Sequence, residues 1–241
     1  SGWFPWFVRG DAQTNREPEF KVEQVAIGGD AKRVRSGGQS MKWFTTWATH
    51  DAGMYQRVRV NPGSRLELSM HAMIYSGEAD GWSDAHGTFI SDPAQPGNYR
   101  VAVAIDPTGA PPPAIGGFPP PSVVWGPASM ATDQWVRVTA SAVAQSSTVT
   151  VYARGWPEWP VKHNDSFWED ACLAVVGRGP VDTDAADSGS GSSGVGSGAA
   201  SGVTGTGGAS SGAVAPARPA PLPRPVPTTR IPGNRAWAIP R

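Results

Sequence analysis

The residues best equipped for chemistry lie in one stretch, HNDSFWEDACLAVV, from His163 to Val176. It holds a histidine, an amide, three carboxylates, two aromatic rings and the chain's only cysteine. A glycosidase needs two carboxylates across a cleft. Glu158, Asp165, Glu169 and Asp170 supply the residue types, but no spacing that sets two of them opposite each other. A nucleophilic mechanism has less support. The four histidines, His50, His71, His86 and His163, are scattered, and no serine stands in a nucleophile elbow. A single cysteine excludes an internal disulfide and any cysteine-based zinc site. In its apolar run, Cys172 reads as a buried, inert thiol. No catalytic residue is assigned, and the chain is not expected to be an enzyme.

Tryptophan is the other residue type that asks for an explanation, with 11 in the 241-residue chain. A pyranose ring has apolar faces and a polar rim, so proteins grip it by stacking an aromatic plane and hydrogen-bonding the hydroxyls. Trp82 in DGWSDAHG, and Trp156 and Trp159 in RGWPEWPVKHND, read as loop residues, while Trp125 ends a strand beside a turn. These four are the candidate glycan-binding residues. Trp43 and Trp47 border an exposed-looking stretch. The competing role for any one of these indoles is to cover open core at the end of a sandwich.

The elements that must position them are strands. In RLELSMHAMIY, Leu66, Leu68, Met70, Ala72 and Ile74 alternate with polar and mixed residues, and NYRVAVAID sets Tyr99, Val101, Val103 and Ile105 on one face. MKWFTT, YQRVRV, WVRVTA and TVTVYA alternate the same way. Between them lie turn clusters such as Asn61-Pro62-Gly63, Asp106-Pro107-Thr108-Gly109 and the run from Pro111 to Pro121. Many short strands with this punctuation predict an all-β, antiparallel sandwich or barrel. From Phe167 onward the opening stretch also alternates, with Phe167, Glu169, Ala171, Leu173 and Val175 on one side, and Gly177 ends it. His163, Asn164 and Asp165 then fall in the preceding loop, with a structural role in bridging to the IDPTG and VVWG loops.

Composition changes near residue 178. Residues 1–177 form the predicted sandwich, 178–215 a Gly/Ser/Ala-rich linker and 216–241 a Pro/Arg-rich extended tail without hydrophobic period. All 20 acids and 15 of the 20 bases precede Ser188, so the body carries −5 and the tail +5. An acidic body without a basic stripe is a poor nucleic-acid binder. No run of about 18 apolar residues offers a membrane span. If flexible, the 28 residues from Ser188 to Ala215 would span about 30 Å. The prolines beyond favour polyproline II. Arg218, Arg224 and Arg230 supply charge, and Trp237 and Ile239 an apolar plug. These five residues are the candidates for a tail that binds a partner, expected to be another copy. The chain opens on Ser1, and its Ser/Thr/Gly/Pro-rich tail suits an exported protein, so an extracellular or cell-surface location is expected.

The ordered segments REPEFK, RVRSGGQSMKWF, AGMYQRVRVNPGSRLELS, VAIDPTG, VVWG, DQWVRVTASAVA, TVTVYA and HNDSFWEDACL resemble the jelly-roll β-sandwich of carbohydrate-binding modules. The likeness is nearer to the related modules in exported cell-surface proteins of bacteria, notably filamentous Chloroflexi. It covers residues 3–175. It implies an antiparallel jelly roll, binding of a polysaccharide or cell-surface glycan, and a structural calcium (Ca2+) held by a final-strand acid, here Asp170. The early acid of that pattern does not occur in the opening SGWFPWF, so that ligand is missing or supplied from elsewhere. Two roles follow as expectations: a non-catalytic glycan-binding module, or a structural subunit of an extracellular filament or surface assembly strapped together by its tails.

Overall fold

A computed structural model describes residues 2–27, 30–78 and 90–178. Ten strands run in chain order: β1 (Phe4–Phe7), β2 (Glu19–Gln24), β3 (Gln39–Thr45), β4 (Ala52–Arg59), β5 (Ser64–Gly77), β6 (Arg100–Asp106), β7 (Val124–Trp125), β8 (Val136–Val143), β9 (Thr148–Trp156) and β10 (His163–Arg178). They form two five-stranded antiparallel sheets, ordered β1-β4-β9-β6-β7 and β2-β3-β10-β5-β8. From β3 to β6 each strand lies in the opposite sheet to the one before it, as the folded-over Greek keys of a jelly roll require. Trp82, Arg218, Arg224, Arg230, Trp237 and Ile239 lie outside the described residues.

The alternating faces read from sequence are the ones buried. Leu66, Leu68, Met70, Ala72 and Ile74 of β5 meet Val101, Val103 and Ile105 of β6 in the core, with Trp43 and Trp168 as its largest fully buried members. The turn chemistry is also as read. Pro62 precedes Gly63 at φ +76°, and the Ser64 N–H donates to the Asn61 carbonyl at 3.2 Å, a turn whose third position admits glycine. In IDPTG, the Asp106 carboxylate accepts from the Thr108 N–H (2.9 Å) and hydroxyl (2.7 Å).

The final strand differs from its sequence reading in three ways. First, β10 begins at His163, so His163, Asn164 and Asp165 are strand rather than loop, with Asn164 opposite both Thr45 and Ser76. The polar side chains that weaken strand propensity are satisfied by cross-strand neighbours instead of water. Second, the alternation does not run straight. A register shift between Glu169 and Cys172 centres on Asp170, whose φ is +52°, and it inverts the faces. Before this bulge Trp168 points into the core and Phe167 packs outside with Met73 and Tyr75; after it Ala171 and Leu173 point in. Third, Cys172 is half-buried rather than buried. Trp156 likewise closes strand β9 instead of lying in a loop.

Candidate functional site

The polar groups of β10 are consumed by structure. Asn164 is fully buried; its Oδ1 accepts from Ser76 Oγ (2.9 Å), and its Nδ2 donates to the carbonyls of Ala48 (3.1 Å) and Trp159 (2.9 Å). Asp165 meets Lys42 at 2.6 Å and Arg33 at 3.7 Å, and Arg33 lies over the Tyr75 ring at 4.1 Å. Glu169 accepts from the Ser36 N–H (2.8 Å) and hydroxyl (3.0 Å) and from the Arg35 N–H. Burial pushes its carboxyl pKa up, against those hydrogen bonds. Glu158 pairs with Arg100 at 3.2 Å. The expected bridge from His163–Asp165 to the IDPTG and VVWG loops is absent from these contacts. β6 runs from Arg100, opposite Trp156 at this end, to Asp106 at the far end, which carries IDPTG away.

Asp170 is held by Arg35 and by Ser36 Oγ, the latter at 3.0 Å, with His71 Nδ1 at 3.9 Å. A guanidinium thus already neutralises the carboxylate that the resemblance assigns to calcium. Calcium takes six to eight oxygens, and among the described residues no group of three or more His, Cys, Asp or Glu side chains gathers to hold a metal. The residues at Asp170 do not fit the ion.

The aromatic residues divide into two places. On the outer face of the β1-β4-β9-β6-β7 sheet, β1, β9 and β7 bring Trp6, Tyr152 and Trp125 together, and Phe118 from the proline-rich loop adds an edge contact to Trp6 at 6.1 Å. The centre of this face is Arg154. Asp51 accepts from both its Nε and Nη2 at 2.7 Å, and the guanidinium lies over Trp156 (4.1 Å), Phe118 (4.8 Å) and Trp125 (5.3 Å). Beside Trp156, its cross-strand partner Arg100 and Asn98 both donate to Glu158, at 3.2 and 3.3 Å. The structure therefore brings Trp125 and Trp156 together around one cation and adds a polar rim. Sequence reasoning missed Arg154, Asp51 and Phe118. TVTVYARGW places Arg154 on the outer face by alternation alone, but Asp51 and Phe118 reach it from distant loops.

Trp159 lies elsewhere, at the end of the sandwich. It is 52% exposed, and Trp47, at 48%, stands on the neighbouring loop. The Trp47 N–H donates to the Val161 carbonyl at 3.0 Å, and Asn164 joins Ala48 to Trp159 through its two amide hydrogens. Trp47 has φ +54°, a left-handed conformation uncommon for a bulky residue.

No protein-family model matches the chain, and no curated protein matches it. Among solved structures it is similar to TmCBM61 in complex with beta-1,4-galactotriose, at 9% identity over 71% of this chain and 86% of that one, with a TM-score of 0.42. It is similar to the CBM22 tandem domain of Xyn10C from Paenibacillus barcinonensis, at 15% identity over 77% of this chain and 44% of that one, TM-score 0.41. A third is the enzymatically active domain of tailspike protein 4 of bacteriophage CBA120, at 8% identity over 73% of this chain and 20% of that one, TM-score 0.45. The chain thus spans less than half of the last two.

Proposed function

We propose that the sandwich is a non-catalytic glycan-binding module of an exported or cell-surface protein, and that Trp125 and Trp156 are its stacking residues. The observation that supports this reading is Arg154. A guanidinium fixed by Asp51 and enclosed by three aromatic rings is preorganised. Asp51 takes its Nε and Nη2, which leaves Nη1 to donate to a sugar hydroxyl beside an indole face. Arg100, Asn98 and Glu158 supply further donors and an acceptor at the rim. Apolar ring faces stack on the indoles while hydroxyls meet this polar edge. With few polar groups and a shallow face, affinity is expected in the weak range, about micromolar to millimolar.

The test is a panel of bacterial and plant polysaccharides read by tryptophan fluorescence and calorimetry. One or more should bind, and Trp156→Ala and Trp125→Ala should each weaken that binding by roughly tenfold or more, as loss of an aromatic anchor does. Trp159→Ala should leave it within about twofold. Absence of binding to every glycan would sink the reading. A structural role for the chain is favoured by a separate observation: β10 carries the chain from the Trp159 end of the sandwich to the opposite end, at Arg178. Self-association through residues 179–241 is the second reading.

A further inference from the structure

Trp47 and Trp159 are half-exposed indoles on two neighbouring, hydrogen-bonded loops, a surface that the glycan reading does not use and that would serve a partner as a platform. Neither ring makes an aromatic contact among the described residues, yet the backbone beneath them is pinned. Asn164, fully buried, holds the carbonyls of Ala48 and Trp159, and Val161 holds the Trp47 N–H. Trp47 keeps its left-handed backbone at φ +54° within that framework. Two half-exposed indoles on locked loops lose little conformational freedom on meeting a partner. Two acids lie at this end: exposed Glu78, just after β5, and Glu158, next to Trp159, which already pairs with Arg100.

The chain contains a segment of matching chemistry. Residues 216–227 read PARPAPLPRPVP, with proline at every second position from 219 to 227 and arginines at 218 and 224. Such a sequence favours polyproline II, whose proline rings dock on aromatic-lined surfaces at low entropic cost. Its arginines complement the acids beside the platform. The direction of β10 favours a second copy as its source. β10 starts at His163, four residues after Trp159, and its 16 residues carry the chain about 50 Å away before residue 179. The 37 residues from 179 to 215 have a root-mean-square span of about 30–36 Å, so reaching back to the chain's own platform stretches them beyond that mean, whereas a second molecule stacked end to end presents its platform at the exit. Resting on the self-association reading above, we infer that the Trp47–Trp159 platform docks the Pro216–Pro227 segment of a second copy of this chain. Such a head-to-tail contact is heterologous, so repetition builds a ring or an open fibre rather than a closed dimer.

The experiment uses the full chain. Its mass is followed against concentration by sedimentation for wild type, for Trp47→Ala/Trp159→Ala and for a variant with Pro219, Pro221, Pro223 and Pro225 changed to serine. Wild type should assemble with rising concentration, and both variants should shift the midpoint by tenfold or more. A synthetic peptide of residues 216–227 should quench wild-type tryptophan fluorescence, should fail to quench the double tryptophan variant, and should dissolve assemblies. Near-ultraviolet circular dichroism and the milder Trp47→Phe/Trp159→Phe variant, expected to retain binding, guard against misfolding. A constant wild-type mass at every concentration overturns both the docking and the self-association reading. Assembly that falls on truncation after Asp187 but persists in the double tryptophan variant overturns the platform alone. Polysaccharide binding that is lost in Trp47→Ala/Trp159→Ala, with no quenching by the peptide, assigns Trp47 and Trp159 to glycan instead.

Discussion

Two tyrosines show how differently the same side chain is used. The Thr45 hydroxyl donates to the Ala48 carbonyl at 2.7 Å, so it must accept from His50 Nδ1 at 2.9 Å. A neutral imidazole protonated at Nδ1 accepts at Nε2, here from the Tyr99 hydroxyl at 2.6 Å. The Tyr99 proton is then spent, so the 3.0 Å contact with Ser166 runs from the serine, which in turn accepts from Trp168 Nε1 at 2.9 Å. Every donor in this buried chain has a place. Tyr152 is equally buried on the outer face of the other sheet, yet among the described residues its hydroxyl has no partner, nor do Thr150 Oγ1 and Asp106 Oδ2 beside it in the ladder. Burial pushes both phenol pKa values up, but the hydroxyls differ in worth. Tyr99→Phe leaves His50 Nε2 and Ser166 unsatisfied and should cost about 1–3 kcal/mol, whereas Tyr152→Phe removes an orphan and should be neutral or stabilising. Urea unfolding of the two variants checks this, and equal costs would contradict the assigned network. Neither fate was legible in GNYRV or TVYAR, because partners such as Thr45, His50 and Ser166 are supplied by distant segments.

At the scale of elements, alternation made most of the sandwich readable. β5, β6, β8 and β9 carry period-two patterns whose apolar faces are the core. The edge strands β1 and β2 are too short or too exposed to announce themselves, while the two-residue β7 shows only in Trp125 as the end of a strand. β10 failed for a more instructive reason. Its bulge at Asp170 inverts the faces halfway along, so a constant period assigns Phe167 and Leu173 to one side when they lie on opposite sides. The tryptophans stood out in type but their neighbours did not, since the link between the Trp47 and Trp159 loops depends on Asn164 reaching across both. The bulge also bears on the metal expected at Asp170. Aspartate tolerates φ +52° better than most residues, and Arg35 and Ser36 hold its carboxylate there. The positive φ and the guanidinium account for this acid without an ion. Thermal unfolding should therefore show the same midpoint with a chelator and with added calcium. A midpoint that rises with calcium would show that the ion displaces Arg35.

For the whole molecule, the consequence of these ties is how the two sheets respond to acid. The Thr45–His50–Tyr99–Ser166–Trp168 chain joins β3 and β10 of one sheet to the segment that opens β6 in the other. In the arrangement above His50 is neutral, and burial without a counter-charge is what opposes its protonation; a proton on Nε2 would also force the Tyr99 hydroxyl to turn from donor to acceptor toward it. Burial, the cause of the shift, lowers the folded-state pKa of His50 from 6.5 to about 3. Unfolded His50 returns to the ordinary value, so between those limits the unfolded chain binds a proton that the folded chain refuses. Stability from this group is complete above pH 6.5 and is lost as pH falls toward 3, at up to about 1.4 kcal/mol per pH unit. The loss falls on the join between sheets, so it should appear as cooperative global unfolding rather than as fraying of an edge strand. Urea-unfolding free energies measured from neutral pH down to about pH 4 should fall with this slope in wild type. In His50→Gln, where nothing titrates at that position, the curve should be flatter by the same amount. The carboxylates titrate in both proteins and cancel in the comparison. The nitrogen chemical shifts of the His50 ring give a second measure that does not depend on the variant folding well, and they should report the neutral Nδ1-protonated form down to the pH at which the fold is lost. Parallel curves together with a ring that protonates near pH 6.5 in the folded protein would mean that the network does not hold His50 neutral.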